Sequence, residues 1–128
     1  DAAVAVDVTH ATDYPDIEEK RRGPVELGGG PVISRGSANH PVLVNLAREA
    51  AAEEIDVQLQ AAGVRTGTDA DAFYTSRGGI PSLNVGLPNR YMHTPVELID
   101  TADLDAVAEL LGAMAREAGD YDDFGIEI

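Results

Sequence analysis

From Ala3 to Val8 small and β-branched side chains alternate, and the run ends in Asp7-Val8-Thr9-His10. This pattern predicts a buried strand that delivers polar groups at its C-terminal end. Residues 13–30 are polar and punctuated by Pro and Gly, with a Lys20-Arg21-Arg22 cluster and the triple Gly28-Gly29-Gly30. That composition predicts a loop with room for a short β-excursion. After the apolar run Pro31-Val32-Ile33-Ser34, Asn39 is placed to cap a helix with Pro41 near its first turn. Val42, Leu43, Leu46, Ala47 and Ala50 are its apolar positions, and it is expected to run to about Glu54.

The period then switches from 3.6 to 2. Ile55, Val57 and Leu59 alternate with Asp56, Gln58 and Gln60, a half-buried strand closed by Gly63. Thr66-Gly67-Thr68-Asp69 opens a short helix through Arg77, and Gly78-Gly79 turns the chain into a strand over residues 80–87, beyond which stand Arg90-Tyr91-Met92-His93. Thr101 is the expected cap of a last helix with Leu104, Val107, Leu110, Leu111 and Met114 on one face, followed by a loosely held acidic tail over residues 119–128. Alternating strands and helices imply an α/β architecture with a largely parallel or mixed sheet.

Composition narrows the function classes. With 128 residues, 44% of them hydrophobic, the chain can build one domain with a core. It has no apolar run near the roughly 20 residues that cross a bilayer and no basic-then-apolar leader, so a soluble, unexported, cytoplasmic protein without membrane partners is expected. A start at Asp1, directly on a strand pattern, suggests residues upstream. Acidic residues number 23 against 9 basic, a net charge of −14, and Lys20 is the only lysine. Nucleic acid is an unsuitable partner for such a surface. Dense carboxylates suit a high-salt cytoplasm, where screening acts over about 3 Å; an acidic mesophilic protein is the alternative. Without cysteine, any metal must be held by His, Asp or Glu.

Ligands of α/β sheets gather outside the carboxyl ends of strands, where the clusters Asp7 to His10 and Arg90 to His93 both fall. A carboxylate and an imidazole suit zinc, cobalt or manganese, although a lone Asp and a lone His are more often ordinary hydrogen-bonding residues. His10 belongs on the face opposite Asp7 by the strand period, which favours support of a neighbouring group over direct ligation. Thr68 and Asp69 either shape the floor of a pocket or cap a helix. Arg90 and Tyr91 either position substrate or pair with the acidic surface, and His40 belongs to a helix start. The glycine triple lacks the helix that a phosphate-binding loop needs, and there is no Gly-x-Ser-x-Gly elbow.

Five blocks in order resemble one family. They are residues 5–13 (Ala5-Val6-Asp7-Val8-Thr9-His10-Ala11-Thr12-Asp13), residues 27–36 (Leu27 to Gly36), residues 66–70 (Thr66-Gly67-Thr68-Asp69-Ala70), residues 79–82 (Gly79-Ile80-Pro81-Ser82) and residues 90–97 (Arg90 to Glu97). They are similar to the glutamyl or deblocking aminopeptidases, including the tetrahedral TET peptidases, whose members often carry endoglucanase or cellulase labels. The resemblance implies a three-layer αβα zinc-peptidase sandwich, present here as its C-terminal portion over residues 1–128. It also implies a peptide substrate, two divalent metal ions such as zinc or cobalt, and a homo-oligomer in the complete protein. Carried over by position, Asp7 is a ligand of one metal and His93 of the other. His10, Thr68, Asp69, Arg90 and Tyr91 stand behind these ligands or in the substrate pocket. Such a metal pair activates a water and polarises the scissile carbonyl.

The family's upstream His, bridging Asp and adjacent glutamates have no counterpart here, and Glu53-Glu54 reads as solvated surface. No catalytic residue is therefore expected within the chain, and one protein ligand per metal falls short of the three a catalytic zinc usually has. Ser37 and Asn39-His40-Pro41 stand where the family has other residues, so the loop there is expected to differ. The expectation is a peptidase segment incomplete alone; the alternative is a non-catalytic remnant or assembly module that keeps the fold. A cellulase would need paired carboxylates flanking a sugar and usually aromatic platforms, against an aromatic content of 5% without tryptophan.

Overall fold

A computed structural model describes residues 1–52 and 54–125. Four strands form one mixed sheet: β1 (Ala3–His10), β2 (Val32–Gly36), β3 (Gln58–Gly63) and β4 (Ser82–Asn89), in spatial order β1-β4-β2-β3. β1 lies parallel to β4 and β2 parallel to β3, whereas β2 meets β4 antiparallel through Val32 with Gly86 and Ile33 with Val85. Central β4 is buried at every position. Its Leu83, Val85 and Leu87 join Ile33 in the main core, beneath helices α2 (Pro41–Ala51) and α4 (Thr101–Glu117). Pro88 is tolerated because β2 has left β4 two residues earlier, so no ladder bond is lost there.

The other face is polar. Thr9 Oγ1 donates to Gln60 Oε1 at 2.9 Å, and Gln60 Nε2 and Asn84 Nδ2 both donate to Ser34 Oγ at 2.8 and 3.1 Å. Thr9 reaches across because Gly86 has no side chain: a Cβ there would stand 2.8 Å from Thr9 Cγ2. This face is closed by Ala38 and by the one-turn helix α3 (Ala70–Phe73), whose Ala70 packs with Ala5. Thr12 and Val25 are buried in the 11–31 segment, which holds the one-turn helix α1 (Glu19–Arg22) instead of a β-excursion.

Several element ends differ from the sequence pattern. β1 is not buried throughout: it is the edge of the sheet, and Val4 and Val6 are 37% and 51% exposed. Asn39 does not cap α2. His40 holds that position, and the Asn39 Oδ1 instead accepts the Asn84 amide at 2.7 Å, bracing the loop against β4. The helix stops at Ala51, where Ala52 turns with φ +46°. Glu54 is exposed and Glu53 lies outside the described residues. β3 opens at Gln58, later than the alternation at Ile55 suggested, although Ile55 and Val57 still pack on the core. The helix expected from Thr66 to Arg77 shrinks to the single turn α3.

At α4 the cap is Asp100, whose Oδ1 accepts the Ala102 amide, and Thr101 is the first helical residue. Leu104 is 49% exposed while Asp103 is buried on the stripe it shares with Val107, Leu110 and Met114. The tail is better anchored than its composition suggests. Tyr121 and Phe124 stack at 5.6 Å and pack on the core, and the Tyr121 hydroxyl donates to Glu49 at 3.2 Å. Residues 126–128 lie outside the described set.

Candidate metal centre

Because β1 and β4 are parallel and in register, His10 pairs with Asn89 and the two strands end together. The chain leaving β4 forms a tight loop closed by the Arg90–Leu98 bridge. Within it, Tyr91 and His93 take φ of +57° and +66°. Non-glycine residues held in that left-handed region cost about 1–3 kcal/mol each and persist only where the surroundings impose them. Here they are imposed by short bonds: the His93 amide donates to Glu97 Oε1 at 2.6 Å, and the Thr94 hydroxyl donates to the Tyr91 carbonyl at 2.6 Å. The loop thereby presents His93 to His10, with ring centroids 6.5 Å apart and the rings edge to face.

The imidazole of His10 has its pKa lowered by burial first, then by Arg22 and His93. Its Nδ1 is buried with no hydrogen-bond partner among the described residues. A neutral imidazole with a free buried nitrogen suits a ligand or a support for one. Asp7 is exposed on β1, with Oδ1 accepting the Val8 amide at 2.8 Å. It lies about 10 Å along the strand from His10, on the opposite face. The donor types suit a divalent metal; their number does not. Among the described residues no group of three or more His, Cys, Asp or Glu side chains could hold a metal ion.

The other residues singled out from sequence divide. Arg90 is engaged: its Nε and Nη2 donate to Asp13 at 2.8 and 2.6 Å, and this bond holds the Asp13 pKa below the ordinary carboxylate value. Asp13 also accepts the Leu27 amide, so one carboxylate ties β1's exit to the β4 loop and to the glycine segment. Tyr91 packs its ring on Tyr14 at 4.8 Å. Thr68 stands one residue ahead of the α3 cap position, and its hydroxyl accepts the Ala70 amide at 3.3 Å. Asp69 is exposed and makes no cap bond, and neither residue bonds to Asp7 or His93. The carboxylate that shapes this turn is Asp71, which accepts from the Thr66 amide and hydroxyl and from the Gly67 amide. Burial pushes its pKa up, and these bonds together outweigh that and lower it.

A family model for M42 glutamyl aminopeptidases matches residues 1–110. The chain belongs to that family. Like the lysyl aminopeptidase of Pyrococcus furiosus, to which it is 36% identical over 118 residues, it carries the family's sequence over most of its length, 91% of this chain but 33% of that relative. The TET aminopeptidase of Thaumarchaeota archaeon SCGC AB-539-E09 superposes with a TM-score of 0.79 at 25% identity, covering 89% of this chain and 32% of that one. The Pyrococcus horikoshii TET1 peptidase, which can assemble into a tetrahedron or a large octahedral shell, does so at 0.66 and 27%, over 88% and 33%. This M42 chain thus spans about a third of the length of the relatives it matches.

Proposed function

We propose that this chain is the C-terminal segment of the catalytic domain of a two-metal aminopeptidase, which releases residues from the free N-terminus of peptides. Asp7 and His93 each hold one metal. The remaining ligands and the general-base glutamate belong to the part of the relatives' length that lies ahead of the matched third. What carries the reading is the joint ending of β1 and β4, which gathers His10, His93 and the strained loop at one end of the sheet. His10 supports the metal-holding corner. Zinc or cobalt would supply Lewis acidity and an activated water there, but with too few ligands present no catalytic step is assigned to this chain alone. The incomplete ligand group favours one other reading, a non-catalytic or assembly module with the peptidase fold.

Homo-oligomerisation of the complete protein and a high-salt cytoplasmic setting belong to the same proposal. They are supported by the assemblies formed by the Pyrococcus horikoshii relative and by the net charge of −14. Among the described residues no helix is long and apolar enough to cross a membrane.

The test is metal analysis and release of N-terminal amino acids in high salt, on this chain and on a protein extended to the relatives' length. The extended protein is expected to bind two metal ions and cleave. Asp7→Asn and His93→Ala should each lower its activity on the order of 100-fold or more and reduce its metal content. Two tightly bound ions on the 128-residue chain alone would overturn the ligand count, and an extended protein that binds no metal would favour the module.

A further inference from the structure

The chain has 9 basic residues against 23 acidic ones, yet three of the nine line a single cavity of about 730 Å3. Arg21 and Arg22 of α1 form one wall. The end of β3 and its following turn, Gly63 to Thr66, contribute Arg65, and Gln60, Ala61 and Ala62 complete the lining. No carboxylate lines it. Among the described residues the single ion pair within 4.0 Å is Arg90 with Asp13, so none of the three guanidiniums is paired. The negative charge that Arg65 does feel is that of Asp71, whose oxygens are taken by Thr66 and Gly67. Three guanidiniums around one cavity concentrate positive potential there, and an anion that enters interacts with all three.

The position of this cavity gives the anion a context. Arg22 is near enough to act electrostatically on His10, which faces His93, and Gln60 accepts a hydrogen bond from Thr9 beside His10, so one side of the cavity lies toward the corner where the parallel strands end. Its volume is in the range of small-ligand sites. Guanidinium groups match a carboxylate through paired N–H donors, and a peptide carrying negative charge would otherwise be repelled by this protein.

We propose that the Arg21, Arg22 and Arg65 cavity is an anion subsite that binds a carboxylate of the peptide substrate. The ligand's identity as substrate rests on the aminopeptidase reading; the anion site itself does not. Its carboxylate comes from the peptide's C-terminus or from an acidic side chain, and the probes separate the two. Amide NMR titrations of the 128-residue chain at low salt compare Ala-Ala-Ala with its C-terminal amide, and Ala-Glu-Ala amide with Ala-Gln-Ala amide. At least one acid is expected to bind roughly fivefold or more tighter than its neutral partner, with shifts clustered at residues 21–22 and 60–66. Arg22→Gln and Arg65→Gln should each abolish the preference, and Arg65→Lys should restore part of it in a chain whose spectrum shows the same fold.

Equal binding of acids and neutral analogues would overturn the proposal. So would a preference that survives both glutamine variants, or binding of inorganic phosphate with no peptide acid binding at all. A zinc titration of the protein extended to the relatives' length, compared with its Asp7→Asn and His93→Ala variants, tests the metal reading separately. No response there, with the carboxylate preference intact, sinks the substrate assignment and leaves the anion site.

Discussion

At the residue scale, carboxylates in this acidic chain do unlike work. Asp103, 1% exposed, accepts the amides of Gly28 and Gly30 at 2.8 Å each, so the glycine segment offers its N–H groups to an internal carboxyl group and not to a ligand. Gly30 cannot be replaced there, since a Cβ would lie 1.9 Å from the Asp56 carbonyl oxygen and φ is +85°. Asp103→Ala strands two amides, and a loss of about 2–5 kcal/mol is expected in urea unfolding. A loss below about 0.5 kcal/mol would mean that the loop finds other acceptors. Asp13 behaves differently, because its folded pKa is held below the unfolded value, chiefly by the Arg90 hydrogen bond. Its contribution to stability is therefore present above about pH 3.9 and lost as pH falls through the depressed value. The Tm of Asp13→Asn should lie below that of the parent at pH 6, with the gap narrowing towards pH 2; a gap independent of pH would show that the pair does not titrate. Motif context singled out Asp7 and His93 as candidate ligands. Asp103 was not, because an aspartate is read as surface by default, although it occupies the helix stripe of Val107, Leu110 and Met114.

At the element scale, order and type of the strands and long helices followed from periodicity, while their ends followed from side-chain competition that periodicity does not encode. Asn39 was free to cap α2 or to brace β4, and Asp100 stood one residue ahead of the Thr101 chosen from sequence. Which face of β1 is covered was also hidden, since alternation gives faces and not neighbours. An eight-residue edge exposing Val6 at 51% is a template for pairing with another chain. The isolated chain is expected to self-associate with concentration in light scattering, and Val6→Lys to lower the apparent mass while shifting stability within about 0.5 kcal/mol. Unchanged association in the variant would exclude this edge.

For the whole molecule, the antiparallel step from β4 to β2 could not be read locally, because it depends on where the 11–31 segment returns the chain. Net charge was legible at once, and it speaks of solvent more than fold. Raising KCl from about 0.1 to about 3 M should lift the Tm by roughly 5–10 °C as repulsion among the 23 carboxylates is screened. A flat or falling Tm would count against adaptation to salt. A different consequence attaches to the bonds that fasten the 11–31 segment. Gln58 bonds it 28–32 residues later, but its last partners, Arg90 and Asp103, lie 77 and 73–75 residues further along the chain. At the usual pace of synthesis that is a delay of roughly 4 to 15 seconds between the appearance of the segment and of these last fasteners. The wall that carries Arg21 and Arg22 is thus made early and fixed late, and β4 and α4 set the time at which this corner of the protein becomes able to hold anything.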